Sequence, residues 1–131
     1  MVVLMQRILL VVAAMTLLAS APWSAGQTAP PAEQTVDILA ERFSFTPSEV
    51  KVPVGTTLTI RLTSDDTDHG FSIVGEDVNV QIPKRSRGVV TVTFTPQKAG
   101  RYTFECSHLC GAGHAFMRGV IVATEPAKDG Q

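Results

Sequence analysis

The pattern that most restricts the fold is an alternation of apolar and polar residues with a period of two, at residues 57–62, 90–94 and 102–105. This alternation is typical of strands with one buried face and one solvent-facing face. Residues 36–40 and 119–123 are candidate first and last strands. Threonine-rich outer faces opposite Val, Ile, Leu and Phe suit two packed antiparallel sheets. Because no segment beyond the N-terminal region has a convincing helical period, the sequence predicts an all-β sandwich.

The N-terminal region has the order of features found in a secretory signal. A basic residue, Arg7, precedes an apolar run at residues 8–19, and small residues follow. Crossing a membrane takes about 20 apolar residues, whereas the run after Arg7 reaches 14 even when counted through Ala21. We therefore expect residues 1–26 to be a cleaved signal peptide, with an uncleaved membrane anchor as the alternative. Either interpretation predicts a periplasmic or otherwise exported protein.

The rest of the chain is long enough for one small domain with its own core. We expect a flexible linker at residues 27–35, a single domain at residues 36–124 and a polar tail at residues 125–131. One of the 11 Lys and Arg residues is Arg7, so ten remain beside 12 Asp and Glu, a net charge of −2. This balance argues against nucleic-acid binding. No pattern of nucleophile and base indicates catalysis by the isolated chain.

The chemistry of the chain is concentrated in its sulfur and imidazole side chains. Beyond residue 26 there are two Cys, three His and one Met, and five of these six lie within residues 106–117. Thiolate, imidazole and thioether donors together indicate copper, because Mg²⁺ or Ca²⁺ would need oxygen ligands. The six residues are His69, Cys106, His108, Cys110, His114 and Met117.

Each of these residues also has a simpler interpretation. Two Cys in an exported domain more often form a disulfide than bind a metal. A bridge between Cys106 and Cys110 would close a very short loop, however, and would stabilise the fold little. Met117 alone could fill the core, and His69 alone could be a surface residue before a strand. Their occurrence together with His114 favours a metal site.

The number of copper ions depends on the second cysteine. A mononuclear blue site needs one Cys, two His and a weak axial Met, which the chain could supply without Cys106. The additional thiolate argues for two ions, because two bridging thiolates can each bond both metals. One His would then bind each metal, with Met117 as a weak further ligand. The main-chain carbonyl of His108 would be free to complete the second metal.

The predicted strands place these donors at one end of the sandwich. A loop at residues 107–117 would join two strands and face His69 at the start of another strand. Gly111 and Gly113 would allow the tight turns that such a loop needs. We expect an apolar collar that excludes water and tunes the reduction potential, formed by Leu109, Ala115 and Phe116.

The motif Cys106-x3-Cys110-x3-His114-x2-Met117, with His69-Gly70-Phe71 upstream, resembles the copper-bearing domain of cytochrome c oxidase subunit II. The resemblance covers roughly residues 43–124. It implies a cupredoxin-like Greek-key β-sandwich with a binuclear CuA-type centre. It also implies a cytochrome c-like electron donor and a terminal oxidase-like acceptor. The implied ligands of the two coppers are His69, Cys106, Cys110, His114, Met117 and the main-chain carbonyl of His108.

The chain departs from that family's pattern in three respects. Typical members have a transmembrane hairpin before this domain, whereas here we expect a mature domain that is soluble or held at a membrane only through its partner. Many members have Glu at the position of His108, which puts a magnesium site shared with the catalytic subunit in doubt. The aromatic cluster often used for electron entry is absent, since the single Trp is Trp23, and Phe43 and Phe45 could be core residues.

Three further interpretations stay open. The His108 side chain could be an exposed bystander, a metal ligand or a partner contact. Asp65, Asp66 and Asp68 could form an acidic docking rim or an ordinary solvated turn. The leading function is electron transfer. The alternatives are a periplasmic copper storage or delivery protein for oxidase assembly, a mononuclear blue-copper carrier, and thiol–disulfide exchange.

Overall fold

The computed structural model describes residues 30–126, in which two β-sheets pack face to face. One sheet has the strand order β2-β1-β4-β7 and the other β3-β9-β8-β5-β6. The predicted all-β sandwich is confirmed. The strands are β1 (Glu33–Glu41), β2 (Ser44–Thr46), β3 (Glu49–Pro53), β4 (Thr57–Ser64), β5 (His69–Ile73), β6 (Asn79–Ile82), β7 (Val90–Phe94), β8 (Gly100–Glu105) and β9 (Arg118–Thr124).

The sheets are mixed, so the prediction of two antiparallel sheets was wrong in two pairings. Strand β1 runs parallel to β4, and β3 runs parallel to β9. Parallel neighbours need a crossover connection. Here the chain leaves the first sheet after β2, forms β3 in the second sheet, and returns to the first sheet as β4, which therefore runs in the direction of β1.

Alternating side chains of both sheets form the core between them. In β4 every second residue is fully buried, namely Leu58, Ile60 and Leu62. Burying one such side chain contributes roughly 1.5–3 kcal/mol. Three phenylalanines on facing elements pack with ring centroids 5.1–5.9 Å apart. These are Phe45, Phe71 and Phe104, so the interpretation of Phe45 as a core residue is confirmed.

The domain begins earlier than the sequence suggested. Residues 33–35 pair with residues 57–59 of β4, so the expected linker at residues 27–35 is too long at its C-terminal end. The short strands β2, β3 and β6 were not predicted, because three to five residues show too little periodicity. Residues 1–29, with the expected signal peptide, and residues 127–131 lie outside the described part. Within residues 30–126 no helix is long and apolar enough to cross a membrane.

Candidate metal centre

Strand register brings the predicted donors to one end of the second sheet. Ser72 of β5 pairs with Glu105 of β8, so His69 at the start of β5 lies beside the residues that follow Glu105. Strand β9 begins at Arg118, which pairs with the same Glu105. The next backbone bond, from the amide of Cys106 to the carbonyl of Met117, measures 3.0 Å. Two of the donors therefore face each other at the base of the loop at residues 107–117.

Gly70 permits the close approach of this loop to β5. A Cβ at Gly70 would collide with the side chain of Ser107 and with the amide nitrogen of His108. The Gly70 amide instead points at the Cys106 Sγ, 3.5 Å away. The glycine after His69 is therefore a steric requirement of the site.

The six predicted donors form one cluster. The two sulfur atoms of Cys106 and Cys110 lie 3.7 Å apart. Nδ1 of His69 is 3.9 Å from the Cys106 Sγ, and Nδ1 of His114 is 3.8 Å from the Cys110 Sγ. The sulfur of Met117 is 3.8 Å from the Cys110 Sγ. The main-chain oxygen of His108 is 3.1 Å from the Cys106 Sγ. One imidazole thus lies beside each thiol sulfur.

The spacing and burial of these donors fit a soft metal ion. Two ligands of one ion, each up to about 2.3 Å from it, lie at most about 4.6 Å apart, and each of these neighbouring donor pairs is closer. The ligand atoms of His69, Cys106 and Cys110 all lie within 4.8 Å of one another. Both cysteines are free thiols, and their sulfur separation is far beyond the roughly 2.05 Å of a disulfide. His69 and Met117 are 0% and 1% exposed, and Cys106 and Cys110 are 5% and 4% exposed. The soft donor set matches copper and not a hard cation.

His69 is oriented by a carboxylate that the sequence analysis placed elsewhere. Oδ1 of Asp66 lies 2.6 Å from Nε2 of His69, on the far side of the ring from Cys106. With Nε2–H donated to Asp66, Nδ1 keeps its lone pair for a metal, an arrangement common around ligating histidines. Burial raises the pKa of Asp66, but the bonds from His69, Arg42 and Thr67 outweigh it and hold that pKa at about 2.

The Cys110 thiol is hard to ionise in the absence of a cation. Burial, followed by the hydrogen bond and the charge of Cys106, raises the pKa of Cys110 to about 11. A bound metal reverses this balance, because a coordinating thiol is deprotonated outright. Binding of a metal at Cys110 would therefore release the thiol proton.

Each of the three aspartates interpreted from sequence as an acidic docking rim or a solvated turn has a contact within the domain. Asp66 points inward to His69. Asp65 forms an ion pair with Arg85 at 3.0 Å, and Asp68 accepts a hydrogen bond from the Lys84 amide at 2.9 Å. Each carboxylate thus has a local partner.

The expected apolar collar does not exclude water from the donors. Leu109 and Phe116 are 77% and 82% exposed, and Ala115 is exposed too. Water is excluded instead by the sandwich core, to which Cys106, Cys110 and Met117 belong. A cavity of about 220 Å³ borders the cluster at Cys106 and Met117.

Sequence reasoning missed two residues of the turn between β1 and β2. Nε of Arg42 donates to the carbonyl of Cys110 at 2.9 Å. Phe43 packs its ring against Gly111 and Gly113 and is 37% exposed. It therefore covers the loop at residues 107–117, the ligand loop, and is not in the core. No local pattern around Arg42 pointed to a metal site 68 residues away.

The main-chain carbonyl and the side chain of His108 have different surroundings. The carbonyl faces the Cys106 sulfur, whereas the side chain is exposed, which fits both the bystander and the partner-contact interpretations. The main chain of His108 therefore contacts the donor cluster, and its imidazole faces solvent.

Comparisons with known proteins agree with this geometry. The chain matches the family model described as a Cupredoxin-like domain over residues 8–123. It is 37% identical over 95 residues to a cytochrome c oxidase subunit 2 of Thermus thermophilus, and the match covers 72% of this chain and 69% of that relative. It has the same identity to a second subunit 2 sequence of that species, of which the chain spans 55%. It is also similar to a chain from a heme-copper terminal oxidase dimer, with a TM-score of 0.61, 28% identity, and coverage of 94% of this chain and 92% of that one.

Proposed function

The chain belongs to the cupredoxin-like family and to that of cytochrome c oxidase subunit 2, and on this premise we propose that it is an electron-transfer protein with a binuclear CuA-type copper centre. It would take single electrons from a cytochrome c-like donor and pass them to a terminal oxidase-like acceptor. The observation that carries the proposal is the pair of buried thiols 3.7 Å apart, with one imidazole beside each sulfur.

The roles of the donors follow from their chemistry. Cys106 and Cys110 would bridge the two ions as thiolates, and His69 and His114 would bind one ion each. Met117 would act as a weak thioether ligand, and the carbonyl of His108 would complete the set. The bound copper pair would supply a store for one electron. In this interpretation the two ions would share that electron.

The scaffold suits rapid electron exchange. The sandwich fixes the distances between His69 at the start of β5, Cys106 directly after β8, and the donors of the loop at residues 107–117, so a change in charge requires little rearrangement of the chain. His114 is half-buried, whereas His69 is fully buried. His114 is therefore the imidazole nearer to solvent, and we place the electron path to a docked partner through it.

Storage or delivery of copper fits the site less well. An ion for transfer to another protein needs accessible, exchangeable donors, and here four of the donor side chains are at most 5% exposed. A mononuclear blue site would leave the Cys106 thiol unused although it lies within 3.7 Å of Cys110.

The proposed location is outside the cytoplasm. Arg7, the apolar run that follows it and the small residues up to residue 26 support a signal peptide, either removed or kept as an anchor. Within this proposal, residues 1–26 direct export and the copper domain extends to residue 124.

The function is tested by loading the purified protein with copper and mixing it with a reduced cytochrome c in a stopped-flow instrument. We expect stoichiometric oxidation of the cytochrome and bleaching of the copper absorption at one electron per chain. His114→Ala should abolish fast transfer, whereas His108→Ala, which alters an exposed side chain and keeps the carbonyl, should not. A copper-loaded protein that takes no electron from the cytochrome would contradict the proposal.

A further inference from the structure

Arg42 contacts both sides of the donor cluster although it provides no ligand. It follows β1, in the turn before β2. Its backbone N–H donates to Oδ2 of Asp66 at 2.9 Å, and the other oxygen of Asp66 holds His69. Its side chain donates from Nε to the carbonyl of Cys110 at 2.9 Å. Arg42 thus connects Asp66, which orients His69, with the loop that carries Cys110.

The next residue strengthens this connection. The ring of Phe43 lies so close to the ligand loop that a Cβ at Gly113 would collide with it, and a Cβ at Gly111 would meet it at 3.0 Å. Gly111 has φ +141°, a conformation that residues other than glycine rarely adopt. The turn at residues 42–43 therefore packs on the part of the loop with the least side-chain bulk.

Hydrogen bonds in the second half of the loop are local. The amides of His114, Phe116 and Met117 bond to carbonyls three residues earlier within the same loop. The start of the loop is joined to β6, where Ser107 Oγ donates to Oδ1 of Asn79 at 2.7 Å. The Arg42 side chain holds the middle of the loop, at Cys110, and the Arg42 amide binds the Asp66 carboxylate that holds His69.

We propose that Arg42 is a positioning residue of the metal centre, which holds the thiolate loop against the His69 side and raises the reduction potential of the bound copper. The inference rests on the proposed copper function. The guanidinium is always charged, and its hydrogen bond draws electron density from the Cys110 carbonyl. A positive charge at this position favours the electron-richer reduced centre, as outer hydrogen bonds to ligating residues generally tune a metal.

The test compares three variants with the wild type. Arg42→Met removes the charge and the Nε donor, since its side chain has no N–H, and Arg42→Lys keeps the charge without the planar guanidinium. Arg61→Met is the matched control, since Arg61 pairs with Asp37 on the exposed face of β4 and β1 at 3.2 Å. Arg42 is solvent-exposed, so both variants at this position should fold, which circular dichroism checks.

Three measurements separate positioning from charge. Amide hydrogen exchange of the metal-free protein should speed up at His114 and Met117 in both Arg42 variants, while amides of β4 stay protected. Copper release to a chelator should be about tenfold faster in both. The reduction potential should fall in Arg42→Met and fall less in Arg42→Lys. Arg61→Met should match the wild type in all three.

The outcomes are distinct. Wild-type exchange and release in Arg42→Met would show that the Nε bond does not position the loop. A wild-type reduction potential in Arg42→Met would show that Arg42 does not tune the bound copper. Both results would overturn the role of Arg42 while leaving the copper function intact. If the wild type bound no copper, the proposed function would fail, and hydrogen exchange in the metal-free variants would still test the positioning.

Discussion

Asp66 and His69 form a 2.6 Å hydrogen bond that turns the Nδ1 of the imidazole toward Cys106. The carboxylate and the sulfur thus lie on opposite sides of one ring. Carboxylate partners of this kind fix the tautomer of a ligating histidine and increase its basicity. The structure therefore assigns Asp66 to the support of the metal centre, although the sequence placed it in an acidic surface turn.

Replacing this carboxylate should weaken copper binding. Asp66→Asn keeps the size of the side chain but allows the amide to donate to Nε2, which favours the wrong tautomer. We expect a loss of about 10–100-fold in copper affinity, measured by competition with a chelator. Asp65→Asn, which alters an exposed ion pair with Arg85, is the control and should bind copper as the wild type does. Equal affinities in both variants would contradict the role of Asp66.

The same carboxylate should make the metal-free protein sensitive to acid. The pKa of Asp66 is lowered from 3.8 to about 2 by folding, so its contribution to stability is complete above about pH 4 and is lost as the pH falls through 2. The contribution is about 1–2 kcal/mol. In urea titrations, the stability gap between the wild type and Asp66→Asn should therefore close between pH 4 and pH 2. A gap that stayed constant over this range would refute the assignment.

Met117 should tune the centre more than it retains the metal. Thioether is a weak axial ligand in copper sites of this type, and Leu occupies a similar volume, so Met117→Leu should cost less than about 1.5 kcal/mol of folding stability. Copper content should remain at the wild-type level while the reduction potential shifts. Loss of most of the copper on dialysis would mean that the thioether is a principal ligand.

Gly70 should tolerate no side chain. Gly70→Ala would place a methyl group into Ser107 and the backbone of His108, which must then move away and carry the loop with them. We expect reduced copper content and a lower melting temperature in calorimetry. Gly75→Ala is a partial control, because its φ of +83° costs backbone strain but nothing lies within 4 Å of the added methyl. It should lower the melting temperature without loss of copper.

The sequence predicted what depends on local pattern. Period-two alternation located β4, β7 and β8, and the donor types and spacing predicted the residues that the fold gathers. The parallel pairing of β1 with β4 was missed, because it depends on a crossover through β3. Asp66 resembled a solvated acidic residue, and only the tertiary contact with His69 reveals its role. The contact of Arg42 with the metal centre could not be predicted, because its partner Cys110 is 68 residues away in the sequence.

The central claim is that Cys106 and Cys110 together hold two copper ions. The most direct test is copper analysis combined with electron paramagnetic resonance of the oxidised protein and of Cys106→Ser. We predict two coppers per wild-type chain, with one unpaired electron whose hyperfine splitting arises from both nuclei. Cys106→Ser should move toward one copper with a mononuclear spectrum. One copper per chain and a mononuclear spectrum in fully loaded wild-type protein would contradict the account.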